Sequence, residues 1–200
     1  TITLAFMFAL TAFVYFGIST RWTFTAKWYL DYFNPLAAAL GQGRLNIEPP
    51  GTTYDLISYN GKWYVAWGVL AALPLIPLQM LRGGFVPTVY LSILFGSLNV
   101  CLLYLLLLRM KREFFPRMRP WDIAGWLVLF AFGTMNVYVG TLGSVWHVDQ
   151  MATMFLGTLG VYSVFKKDRT GKDYLFSSFC FGVALTGRPP LIFLFVISFV

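Results

Sequence analysis

The groups able to do chemistry are few in this 200-residue chain, and they fall in a small number of places. Asp31 stands among Trp28, Tyr29, Tyr32 and Phe33. Aromatic surroundings desolvate a carboxylate and raise its pKa toward values useful in a general base. The plainer alternative is a solvated carboxylate at the edge of an interfacial helix. Asp55 precedes an Asn60-Gly61 turn and either takes a proton or satisfies local backbone donors. Glu48, before Pro49-Pro50, reads as a solvated turn residue. His147 and Asp149 share a short connection where they could meet a substrate or a metal ion, although two ligands do not complete a metal site. Asp149 is equally placed to cap a helix beginning near Met151. Arg188, before Pro189-Pro190, presents a planar guanidinium suited to a phosphate or pyrophosphate, or else snorkels to ordinary headgroups. Arg44 and Lys62 carry the same two readings.

The elements that must position these groups belong to lipid. Hydrophobic residues make up 58% of the chain and charged residues 12%, about half the charged share of a soluble domain. Apolar runs long enough to span a bilayer predict an all-α, multi-pass transmembrane helical bundle, the whole chain forming one transmembrane domain. Spans are expected at Ile2–Ser19, Val86–Leu108, Ile123–Thr141, Met151–Phe165 and Tyr174–Gly187, with a last one opening at Leu191. Both termini lie inside apolar runs, so the chain is expected to continue in both directions, as the N-terminal part of a longer protein. Cys101 and Cys180 also sit in apolar runs and behave as small hydrophobes, which indicates neither a disulfide nor a metal site. Gly41-Gln42-Gly43 lacks the strand and third glycine of a nucleotide fingerprint.

Charge sets the orientation. Nine of the fifteen Lys and Arg residues lie in Arg109–Arg119 and Lys166–Lys172, each between apolar runs, as expected of cytoplasmic loops. The net charge of +7 therefore reports topology, and no basic and aromatic surface suited to nucleic acid is present. Two spans separate the basic segments, which places Leu142–Gln150 and the Gly187–Pro190 break on the opposite side. Pro74 and Pro77 interrupt the apolar run Tyr64–Leu81, each removing a hydrogen bond that lipid cannot replace. That run is expected to be interfacial or re-entrant, so that residues 21–85 form one external loop. Within it, Asn34 can cap a short helix over Leu36–Leu40 with Pro35 at its start, and Asn60-Gly61 marks a tight turn.

The order LAAALGQGRL (Leu36–Leu45), a Pro-rich turn, YDLISYNGKWY (Tyr54–Tyr64) and an apolar Pro-containing run resembles the first external loop of GT-C class membrane glycosyltransferases. In plan the chain is similar to protein O-mannosyltransferases and the lipid A aminoarabinose transferase. WHVDQMATMFLGTLGVYSVFK and GVALTGRPPLIF (Gly182–Phe193) follow the same plan. The resemblance covers most of the chain as a pattern of organisation. It implies two juxtamembrane helices in the first loop, and transfer of a sugar from a polyprenyl-phosphate donor to a lipid, glycan or protein acceptor on the extracytoplasmic face of the cell membrane. It further implies a carboxylate base and basic side chains that offset charge on the departing phosphate. Trp28 and Tyr29 stand where the family places an Asp-Glu pair, so either Asp31 from the next turn or Asp55 takes the base role. Arg188, with Arg44 or Lys62, would hold the phosphate, and Asp149 and His147 would line the same cavity. No cofactor is specified; a divalent cation is compatible with the chemistry, but no metal-ligand set is evident. Two other readings compete: a non-catalytic membrane subunit or scaffold, and a transporter, against which the uncharged spans argue.

Overall fold

The computed structural model describes residues 2–25, 29–48 and 51–189. Among the described residues eight helices dominate: α1 (Ile2–Thr20), α2 (Phe33–Gly41), α3 (Leu75–Arg82), α4 (Val89–Glu113), α5 (Pro120–Gly133), α6 (Met135–Gly140), α7 (Val145–Val164) and α8 (Gly171–Leu185). Two of them, α1 and α4, are long and apolar enough to cross a membrane. The expectation of an all-helical chain is corrected by a small antiparallel sheet in the first long loop: β1 (Asn46–Ile47), β2 (Leu56–Tyr59) and β3 (Lys62–Val65), in the order β1-β3-β2. The expected segment from Leu191 lies outside the described residues.

Helix packing around α1 is organised by one phenol. Tyr15 is fully buried; its hydroxyl donates to the Ala131 carbonyl at 2.6 Å and accepts from Asn136 Nδ2 at 2.7 Å. The ring fits because Gly96 and Gly140 lack side chains: a Cβ on either would lie 3.0 or 2.9 Å from it. The run expected as one span over Ile123–Thr141 is broken at Thr134, whose backbone is extended (φ −122°, ψ −177°). The Thr134 hydroxyl donates to the Phe130 carbonyl and accepts from Asn136 N–H, serving both helix ends at the break.

The two basic connections meet at one end of the molecule. Arg109 lies 3.6 Å over the Tyr162 ring and donates to the Tyr162 carbonyl, and Phe114 packs on Phe165 at 5.0 Å. Asp122 and Asp173 accept from the Arg119 and Thr170 amides, each at 2.7 Å, closing the starts of α5 and α8. At the opposite end, Thr88 and Ser92 donate to the Gly143 and Leu142 carbonyls, and Val145 N–H donates to Leu30 O at 3.0 Å. Residues of the first long loop thus share an end with the α6–α7 connection, away from the basic segments.

The apolar run Tyr64–Leu81 contains no continuous helix. It begins in β3, passes through turns and ends in α3. Pro74 sits at the N-cap of α3 and Pro77 in its first turn, where a backbone N–H has no partner within the helix to lose. Met80 and Leu81 project from α3, with Leu81 86% exposed, as suits a helix lying on an apolar surface. A membrane-impermeant maleimide should label Asn60→Cys and Arg117→Cys from opposite faces of a sealed vesicle; labelling from one face would overturn the assignment of the two ends.

Candidate functional site

The site is built where α7, the end of α8 and the loop after β3 converge. Helix α7 starts at Val145, nearly two turns before the expected Met151, because Val145 and Val148 bury themselves in the core beneath the loop. Asp149 is therefore an interior helical residue, 1% exposed, and not the cap its position in the sequence suggested. Its carboxylate Oδ2 lies 3.4 Å from Arg188 Nε, close enough for charge pairing but off the line of a hydrogen bond. Arg188 Nη2 donates to the Trp146 carbonyl at 3.1 Å. The guanidinium is thus held by a carboxylate on one side and a main-chain oxygen on another, with part of it open to solvent. Simple snorkelling would leave it with neither partner.

Two glycines make this convergence possible. A Cβ on Gly187 would run into the Thr153 hydroxyl and come within 2.9 Å of Asp149 Oδ1. Gly68, at φ +100°, lies so close to the Thr186 carbonyl that no side chain fits. Backbone of the loop after β3 and backbone ending α8 therefore touch directly. Thr153 stands one turn after Asp149 on the same face of α7, and its hydroxyl has no hydrogen-bond partner among the described residues.

An aromatic group adjoins the ion pair. Tyr32 stacks on Trp67 (6.0 Å, 9°), and Trp146 stands edge-on to both Trp67 (6.2 Å, 88°) and Tyr54 (6.3 Å, 82°). The Tyr32 hydroxyl donates to Tyr54 O at 2.6 Å, tying the segment before β2 to this cluster. Burial raises the Tyr32 phenol above its usual pKa, a hydrogen bond with Thr52 opposes this, and the nearby Asp55 charge adds to it. Asp55 is exposed, with φ +61°, at the edge of the same group.

Asp31 occupies a different setting. Its Oδ1 accepts from the Phe33 and Asn34 amides at 2.8 and 3.3 Å, and its Oδ2 accepts from Asn34 Nδ2 at 2.5 Å. Asp31, one residue before the N-cap Tyr32, and not Asn34, thus serves the free amides that open α2, which starts three residues before the expected Leu36. Asn34 turns its amide elsewhere: Nδ2 also donates to Val86 O, while Oδ1 accepts from Val86 N–H and Gln79 Nε2. Burial pushes the Asp31 carboxyl above the usual carboxylate range, and the bonds from Asn34 and Phe33 only partly offset this.

Of the remaining candidates, His147 lies within reach of the Arg188 charge, while among the described residues no hydrogen bond or ion pair joins Arg44, Lys62 or Glu48 to the Asp149–Arg188 pair. Arg44 is exposed and donates through Nε and Nη2 to Gln42 Oε1, beside a shallow cavity of about 430 Å³ that Glu48 also lines. Lys62 is exposed at the hairpin turn. His147 binds the Ser144 hydroxyl through Nδ1 and faces Tyr138 edge-on at 5.8 Å. Among the described residues no cluster of three or more His, Cys, Asp or Glu could hold a metal ion. Sequence reasoning missed Trp146, Thr153 and Gly187; only the helical spacing of Asp149 and Thr153 could have marked one of them. Comparison with known proteins gives no match to any family model, curated protein or solved structure.

A carboxyl whose folded pKa is raised resists ionisation in the folded state. For Asp31 that penalty is complete above the folded pKa and disappears as pH falls through it toward 3.8. Wild-type stability relative to Asp31→Asn should therefore rise as pH is lowered from neutrality into the acid range, measured by thermal unfolding in detergent. A pH-independent difference would contradict the burial described.

Proposed function

We propose that the protein is a GT-C-like membrane glycosyltransferase that moves a sugar from a polyprenyl-phosphate donor to an acceptor on the extracytoplasmic face. The observation that carries this reading is the Arg188 guanidinium, oriented by buried Asp149 and the Trp146 carbonyl at the end of the molecule opposite the basic connections. A pre-oriented, partly exposed guanidinium binds phosphate oxygens without first losing side-chain freedom. As the donor's glycosidic bond breaks, charge develops on the phosphate, and a fixed cation beside it lowers the barrier.

Of the two carboxylates considered as base, Asp55 fits better. Asp31 spends both oxygens on α2 and Asn34, whereas Asp55 is exposed beside Tyr54 and Tyr32. In the proposed step Asp55 takes the proton of an acceptor hydroxyl, that oxygen bonds to the anomeric carbon, and the bond from that carbon to the phosphate oxygen breaks. The released prenyl phosphate stays on Arg188. The same commitment of Asp31 favours one rival, a non-catalytic membrane component that binds lipid phosphate and transfers nothing.

Reconstituted full chain, assayed for transfer from labelled prenyl-phosphate sugars, separates them. Asp55→Asn should lower kcat by about 10²–10⁴ with donor KM little changed, the usual contribution of a general base. Arg188→Met should raise donor KM about tenfold or more, the loss of a charge-assisted hydrogen bond. Full kcat in Asp55→Asn would remove that base; Arg188-dependent binding without transfer from any donor would establish the rival.

A further inference from the structure

We infer that Trp146 and Tyr54 form the subsite for the donor's sugar ring, immediately beside the phosphate taken by Arg188. The inference rests on the phosphate-binding reading of Arg188 and adds what sits next to it. Trp146 links the two parts of the site: its carbonyl accepts from Arg188 Nη2 at 3.1 Å, and its indole stands near-perpendicular to Tyr54 at 82°. Two aromatic planes at that angle make a corner, offering one face on which a ring can stack and a second against its edge. In a glycosyl phosphate the ring is joined to phosphorus through a single oxygen. A phosphate on Arg188 therefore brings its sugar within reach of this corner.

Tyr54 supports the assignment independently. Its side chain is 65% exposed, yet its main chain is pinned, with O accepting from buried Tyr32 at 2.6 Å and N–H donating to Thr52 Oγ1 at 3.2 Å. The next residue, Asp55, holds a left-handed backbone at φ +61°. An exposed aromatic whose main chain is fixed at two points meets a ligand without first ordering its backbone. Asp55 follows Tyr54 directly in the chain, which keeps its carboxylate near a ring held in the corner. That carboxylate repels a second negative charge, so the fitting class is a neutral or amino sugar and not a uronic acid.

The test compares binding of two probes of equal chain length, a prenyl phosphate and the corresponding prenyl-phosphate hexose, to the full chain in nanodiscs. Wild type should bind the hexose lipid about two- to tenfold more tightly, the range of one favourable ring contact. Tyr54→Ala, a surface change that leaves the core intact, should abolish that gain and leave the bare phosphate's Kd unchanged; Trp146→Phe should reduce it in part. Equal weakening of both probes would show that these rings hold the lipid or its headgroup, and no effect on either would show that they hold neither; both overturn the subsite while sparing the phosphate. Failure of wild type to bind either probe would overturn the phosphate reading and the subsite together.

Discussion

One amide group, the side chain of Asn34, holds the first long loop of this molecule together. It bonds to the Asp31 carboxylate that serves the opening amides of α2, to both main-chain polar groups of Val86 just before α4, and to Gln79 on α3. Three stretches of loop that are distant in sequence are thereby fixed to the same point. A buried side-chain amide has two donors and an acceptor to satisfy, and a partly satisfied one is costly. Here donors and acceptor are all engaged, so the network specifies a single arrangement of α2, α3 and the entry to α4.

That arrangement supplies the floor on which the aromatic group rests. Leu36, Leu75, Leu91, Val145 and Val148 pack into one core under the loop, drawing on α2, α3, α4 and α7 together. Tyr32, next to Asp31, is fully buried in this core and faces Trp67. The outer rim of the cluster, at Tyr54 and parts of Trp67 and Trp146, reaches solvent. The ion pair at Asp149 and Arg188 is set by a separate constraint, the direct backbone contacts that Gly68 and Gly187 permit.

Some of this was legible in the sequence because the signal is local. Asn60 and Gly61 both adopt left-handed backbone (φ 49° and 70°), as their residue types foretold, and the Tyr59–Lys62 pair closes around them. The two prolines of α3 likewise ruled out a continuous helix over Tyr64–Leu81. The start of α7 was misread because His147, Asp149 and Gln150 interrupt the hydropathy, whereas Val145 and Val148 continue the buried face beneath them. Asn34-Pro35 looked like a helix start, which concealed Asp31 as the residue that serves the opening amides. The pairing of Asp149 with Arg188 joins two helices through packing alone, and no local pattern announces it. The short strands were equally hidden, since β1 has only two residues and finds its partner beyond a Pro-rich turn.

The phenol of Tyr15 has a consequence for how such a chain can diverge. Gly96 and Gly140 are the walls of its slot, and its hydroxyl is shared between an α5 carbonyl and the Asn136 amide. A methyl group on Gly140 presses into the ring, and one on Gly96 needs the ring to give. A shorter side chain at position 15 leaves a void and leaves the Asn136 amide with the longer bond to Gly96 O at 3.4 Å. Positions 15, 96, 136 and 140 are therefore coupled, and a change at one alters what the other three can hold.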